Sequence, residues 1–298
     1  MSNKLISWLL FVLLCLIWGS SFKLMKESTS ALTGSQIASL RIFSAALVSL
    51  PFALFQWRKI ETKRLPLVAF SAVIGNLIPA FFFAIALTHI DGSLGGILNS
   101  LSPICVVLIG VLFYGDKVAG QKMFGLLIGF VGLALLTLVP VFTGERTISF
   151  GNLGYLLLPV GATLLYGINV NMVSHRLKDI NPVNLGIVSV AFMIFPTTLL
   201  LGWLDFFSLD FSNALVQKAI LYTAILGIVG SALATVIFYS LVQRVGGLFA
   251  SLVTYGIPFV ALLWGFLDHE AITTLEVGCL LLILAGVYLA NSSPVRKK

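Results

Sequence analysis

Arg41 is the one charged residue set well inside a long apolar stretch, which runs roughly from 34 to 57. At 1.5 Å per helical residue it lies roughly 10 Å from the nearer end of that stretch. A guanidinium in such a setting does one thing well: it holds a carboxylate through two parallel N–H bonds. It could also snorkel to the nearer interface. Two further pairs join an aromatic ring to a hydrogen-bonding group on one helix face, Trp18 with Ser21 and Tyr166 with Asn169. That pairing suits a small-molecule cavity. Asn76 and Asn99 are amides deep in apolar runs, and Ser231, Thr254 and Tyr255 are their counterparts or neighbours further along the chain. An unsatisfied amide costs kilocalories in hydrocarbon, so these groups must face protein or a wet path. Polar contacts that glue helices together would satisfy them equally well.

Several kinds of chemistry are missing. Asp91, Asp116, Asp205, Asp268 and Glu270 all sit at the ends of apolar runs, as do His89, His175 and His269. Neither a buried carboxylate relay nor the clustered acid, base and nucleophile of an enzyme is supported. The chain has no phosphate-binding G-x-x-x-x-G-K-[S/T] loop, so direct use of ATP is not expected. Cys15, Cys105 and Cys279 stand alone in apolar runs, with neither metal-ligand spacing nor a disulfide framework. No cofactor and no metal are expected.

The elements that carry these residues follow from composition. Of 298 residues, 59% are hydrophobic and 10% charged, and the mean hydropathy is +1.07. No soluble core of this size hides that much apolar surface, so the solvent is lipid. Apolar runs fall near 5–26, 34–57, 66–89, 92–115, 120–142, 151–175, 182–204, 214–241, 246–268 and 273–291. Each has the length of a membrane-crossing helix, none alternates like a barrel strand, and helices satisfy their own backbone groups. The net charge of +7 does not signal nucleic acid, because the basic residues cluster between the runs. With the N-terminus placed in the cytoplasm, thirteen Lys and Arg face that side and four face the other. This bias puts both termini in the cytoplasm, as the even number of helices requires. The first run ends in Trp18-Gly19-Ser20-Ser21-Phe22 without a cleavage signature and reads as a retained helix.

The fourth and ninth runs repeat each other. An offset of 155 aligns Gly92 with Gly247, Gly96 with Ser251, Asn99 with Thr254 and Pro103 with Pro258, and it also pairs Gly75-Asn76 with Gly230-Ser231. The aligned positions share one helix face. Small residues there permit close approach, and each proline frees a carbonyl in mid-helix. Gly96, Pro103, Ser251 and Pro258 are therefore expected to act as hinges. Residues 1–142 and 151–292 form two halves of five helices, and an odd number inverts the second half relative to the first. The expected fold is all-α, ten transmembrane helices in a 5+5 inverted repeat, with the fifth and tenth runs bracing each half. Gly125 and Gly129 form a G-x-x-x-G pair suited to packing inside the bundle, with dimerisation as the alternative.

The ordered set of these features resembles the drug/metabolite transporter superfamily, in its ten-helix EamA-like branch. The pieces are Trp18-Gly19-Ser20-Ser21-Phe22 with Lys26, Leu40-Arg41-Ile42, Ala86-Leu87, Ser102-Pro103, Gly125, Gly129 and Gly132, then Pro258, Glu270, Gly278 and Gly286. Asp116 stands where the family usually has Glu. The resemblance implies export or exchange of amino acids and related small metabolites through a central cavity, in the cytoplasmic membrane, with no nucleic-acid partner. It does not fix the substrate. A monomer is the working expectation. A membrane-embedded enzyme or sensor, or a channel, are the rival readings.

Overall fold

The computed structural model describes residues 3–86, 89–90, 92–142, 144, 153–267 and 273–292. The sequence expectations on Asp91, Asp268, His269 and Glu270 lie outside these. Ten helices follow in order. α1 is Asn3–Ser28 and α2 is Gly34–Gln56. α3 covers 65–86, as Leu65–Ala72, a π turn Val73–Leu77, and Ile78–Ala86. α4 is broken into Gly92–Asn99 and Ser102–Tyr114. α5 is Gly120–Phe142 and α6 is Leu157–His175. α7 comprises Pro182–Ala191 and Ile194–Trp203. α8 contains Ala214–Gly227, a second π turn Ile228–Leu233, and Ala234–Val245. α9 is broken into Gly247–Ser251 and Val253–Leu267, and α10 is Thr274–Ser292.

All ten are long and apolar enough to cross a membrane. The outside of the bundle shows why lipid must surround it: Phe55, Phe113 and Trp203 are 75%, 77% and 83% exposed. Since crossings alternate, the start of α1 and the end of α10 share one end of the bundle, here the terminal end. The opposite end is the far end. Side chains close the backbone groups that helix starts leave open. Thr33 and Gln36 cap α2 reciprocally, as Thr273 and Glu276 cap α10. Asn181 and Asn213 cap α7 and α8.

The packing obeys a two-fold exchange of the halves. α1 lies on α9, and its image α6 lies on α4; α2 pairs with its own image α7, and α5 with α10. The last pair corrects the expectation that these helices brace their own halves, because they join the two halves instead. A Cβ on Gly286 would stand 2.4 Å from the backbone nitrogen of Gly129 and 2.7 Å from the carbonyl of Gly125. Only glycine permits this approach, so the G-x-x-x-G pair is used within the chain.

The two broken helices are not broken at matching points. In α4 the break falls at Ser100–Leu101, and Pro103 opens the next piece, where its missing N–H has no partner to lose. In α9 the break falls at Leu252, beside Ser251, and the helix runs on through Pro258. Pro258 itself lies inside the helix, and the break in α9 sits six residues earlier. Ser251 and Thr254 donate to the carbonyls of Leu248 and Ser251 near that break.

Candidate functional site

The π turns of α3 and α8 begin at Val73 and Ile228, which are related by the repeat offset of 155. A π turn carries one residue more than the regular ladder accommodates, and such turns recur at functional sites. The two bulges hold Gly75-Asn76 and Gly230-Ser231. Helices from both halves converge on them.

At the α8 bulge the indole Nε1 of Trp18 donates to the carbonyl of Gly230 at 3.0 Å. Arg41 donates through Nε to Ser231 Oγ at 2.8 Å and through Nη2 to the same Gly230 carbonyl at 3.3 Å. Gly230 leaves room for this, since a Cβ there would meet Ser21 Oγ at 3.1 Å. Ser21 itself bonds back to the carbonyl of Ile17. At the α3 bulge Asn76 Oδ1 accepts from Thr235 Oγ1 at 3.3 Å. Tyr166 of α6 is close enough to Arg41 to act on it electrostatically, and its ring stacks on Phe83 of α3 at 6.5 Å. Trp18 lies against Phe238, with ring centroids 5.4 Å apart.

Trp18, Ser21, Arg41, Asn76, Tyr166 and Ser231 thus belong to one neighbourhood between the repeats. Arg41, Asn76, Tyr166 and Trp18 are half-buried rather than sealed. Among the described residues the hydrogen-bond partners of Arg41 are neutral, and no carboxylate pairs with it. Gly230, Thr235 and Phe83 were missed from sequence. Thr235 stands four residues after Ser231 on the same face, a signal that was available.

Other expected lining residues are placed elsewhere. Tyr255 is fully buried, with its ring against Gly129 of α5 and its hydroxyl donated to Leu126 at 2.9 Å. It seals α9 to α5, which corrects its assignment to a cavity. Asn169 is likewise a packing group: Ser71 Oγ donates to its Oδ1 at 2.6 Å, and its Nδ2 donates to Tyr239 at 3.3 Å. A Cβ on Gly75 would collide with that amide, so Asn169 sits directly behind the α3 bulge. Asn99 is half-buried at the α4 break, where its carbonyl accepts from Ser102. Thr254 is half-buried beside the α9 break. Gly96 has open space where a Cβ would stand, so no helix presses on it.

This arrangement defines a class before it defines a family: an all-helical membrane bundle of two repeats with polar groups gathered between them. The chain belongs to the EamA-like transporter family, whose profile matches residues 5–138 and again 152–292. It is 24% identical to an uncharacterized transporter of Archaeoglobus fulgidus over 98% of this chain and 99% of that one. The uncharacterized transporter YoaV of Bacillus subtilis is 22% identical, over 95% and 96%. The protein PagO of Salmonella typhimurium is also 22% identical, over 97% and 95%. A protein of known crystal structure shares the fold with a TM-score of 0.74 and 19% identity, over 97% of both chains. The protein is therefore a multi-pass membrane protein of a family of small-molecule transporters.

Proposed function

We infer that the chain is a secondary transporter that exports or exchanges small carboxylate-bearing metabolites, amino acids among them. It works by alternating access between the five-helix repeats 1–142 and 151–292. The observation that carries this reading is Arg41, held at the repeat interface by neutral partners alone. A half-buried cation in the membrane interior without a counter-charge is unfavourable, and a substrate carboxylate would offset that cost. Its fork also offers directional bonds that a carboxylate matches. Trp18, Tyr166 and Asn76 would complete the cavity.

Closure would rock the repeats about the broken segments of α4 and α9, around Pro103 and Ser251. A disulfide joining the far ends of α1 and α9 should stop turnover. The Lys and Arg distribution supports the cytoplasmic membrane with both termini inside. The α5–α10 contact supports a single chain as the transport unit, because the glycines suited to dimerisation are occupied within it.

The test is transport by purified protein in proteoliposomes loaded with labelled amino acids. Saturable efflux that is accelerated by unlabelled substrate outside supports a carrier. Flux that fails to saturate indicates a channel. No flux of any carboxylate-bearing metabolite from folded protein would overturn the reading.

A further inference from the structure

A second pocket, of about 380 Å³, opens at the terminal end between the end of α4, the end of α6 and the start of α9. Its size falls in the range of small-molecule sites, about 300–1,000 Å³. None of the residues that line it belongs to the Arg41 neighbourhood. Asp116, Lys117, Lys122 and Asn171 are its principal polar groups, and Val106 and Leu248 contribute apolar wall.

Two oxygens in this pocket converge. Asn171 is 2% exposed, and its Nδ2 donates to the carbonyls of Val106 at 2.9 Å and Gly167 at 2.8 Å. Those two bonds fix the amide and turn its Oδ1 the other way. Asp116 is held by His175, whose Nε2 lies 3.1 Å from Asp116 Oδ1, and the His175 ring stacks on Tyr114 at 4.3 Å. The remaining oxygen, Asp116 Oδ2, faces the same spot as Asn171 Oδ1. A Cβ on Gly110 would stand 2.6 Å from the first and 3.0 Å from the second. Among the described residues no hydrogen-bond donor is directed at either oxygen.

A carboxylate oxygen and an amide oxygen that lie near each other beside Gly110, in the wall of one pocket, ask for a cationic donor. Two protein oxygens are too few for Ca²⁺, which takes six to eight, and Lys117 and Lys122 in the same lining disfavour a compact divalent cation. A primary ammonium, with three N–H donors, suits them. Lys117 and Lys122 in the same pocket would repel a simple amine but complement a ligand that also carries a carboxylate. The apolar wall accepts an aliphatic side chain.

We propose that this pocket binds an aliphatic α-amino acid as its zwitterion, with the ammonium on Asp116 and Asn171 and the carboxylate towards Lys117 and Lys122. It is a capture site at the terminal-end mouth, separate from the Arg41 neighbourhood. The proposal rests on reading the chain as a transporter of amino-acid-like substrates.

The experiment measures binding of radiolabelled L-leucine to the purified full-length protein in lipid nanodiscs. Wild type should show two sites and Arg41→Gln one. In the Arg41→Gln background, Gly110→Ala crowds both oxygens with a methyl on a helix-favouring residue, and Asp116→Asn removes the charge. Each should weaken the remaining binding at least about ten-fold, the scale of a lost charge-assisted hydrogen bond. Elution profiles check that both variants stay folded. Unlabelled L-isoleucine should compete for this site, while N-acetyl-L-leucine, which lacks the ammonium, and 3-methylbutylamine, which lacks the carboxylate, should not. Loss of all leucine binding in Arg41→Gln overturns the second site and leaves the transporter reading intact. So does competition by N-acetyl-L-leucine equal to that of leucine. Absence of leucine binding in wild type also overturns it. Conversely, unchanged transport by Arg41→Gln, with pocket binding retained, would sink the role of Arg41 and leave the pocket standing.

Discussion

Gly286→Ala puts a methyl carbon 2.4 Å from the backbone nitrogen of Gly129 and 2.6 Å from its Cα. Both atoms are backbone, so no rotamer change relieves the contact. Ordinary contact begins near 3.4 Å, so α5 and α10 must part by about 1 Å along a seam that also includes Gly125 and Gly132. Overpacking of this kind costs about 1–3 kcal/mol. Alanine recovers up to about 1 kcal/mol of helix propensity, so the net loss is up to about 2 kcal/mol, while the gap to a glycine-to-alanine change without overpacking is the full cost of about 1–3 kcal/mol. The same helix supplies the control. Gly278 has nothing within 4 Å of its Cβ position, so Gly278→Ala keeps the propensity gain and should be neutral or slightly stabilising. Thermal unfolding of both variants in one detergent, followed by intrinsic tryptophan fluorescence, measures the difference. Equal midpoints would refute the tight α5–α10 seam. A change of oligomeric state in Gly286→Ala, with an unchanged midpoint, would assign the glycines to a dimer instead.

Other variants separate the site from its supports. Arg41→Gln should reduce transport of a carboxylate substrate about ten-fold or more by removing a charge-assisted fork. Arg41→Lys should fall between Arg41→Gln and wild type, because the charge remains but the fork is lost, and equal rates for all three in counterflow would sink the assignment. Tyr255→Phe deletes a buried hydroxyl that bonds to Leu126, so it should cost about 1 kcal/mol of stability and leave substrate KM unchanged. Asn169→Ala removes two buried hydrogen bonds and leaves the hydroxyls of Ser71 and Tyr239 only each other, and unfolding measurements should show a loss of about 1–3 kcal/mol. Thr33→Ala opens the cap of α2 and should lower stability by about 0.5–2 kcal/mol.

The helices and their repeat were legible because lipid imposes length and apolarity on every crossing, and a duplicated half must carry the same small and polar positions twice. Arg41 was legible because a charge in an apolar run is conspicuous. Which polar groups would meet was harder to read. Tyr255 and Ser231 look alike in sequence, each a polar residue in an apolar run near a glycine. What separates them is the direction each takes from its helix, which depends on the π turn of α8 for Ser231 and on the break at Leu252 of α9 for Tyr255. A π turn shifts every following side chain around the helix axis, so a face counted at 3.6 residues per turn misplaces whatever lies beyond it. Asn169 deceived for a different reason: it shares a face with Tyr166 nearly enough to suggest a common lining, yet its amide is spoken for by Ser71 and Tyr239. The α5–α10 seam escaped because it joins elements far apart in sequence through glycines, which leave no hydrophobic pattern to match.

The paired π turns also bear on the ancestry of the chain. A surplus residue in a helix is easily gained by a single insertion and easily lost by a deletion. Two unrelated insertions would have no reason to fall at Val73 and Ile228, the same point of each half. The economical history is one insertion in a five-helix ancestor, followed by duplication of its gene. On that history the bulge is older than the ten-helix protein, and the two halves have since diverged around it. The first half kept Asn76 there and the second Ser231, while only the second is engaged by an arginine.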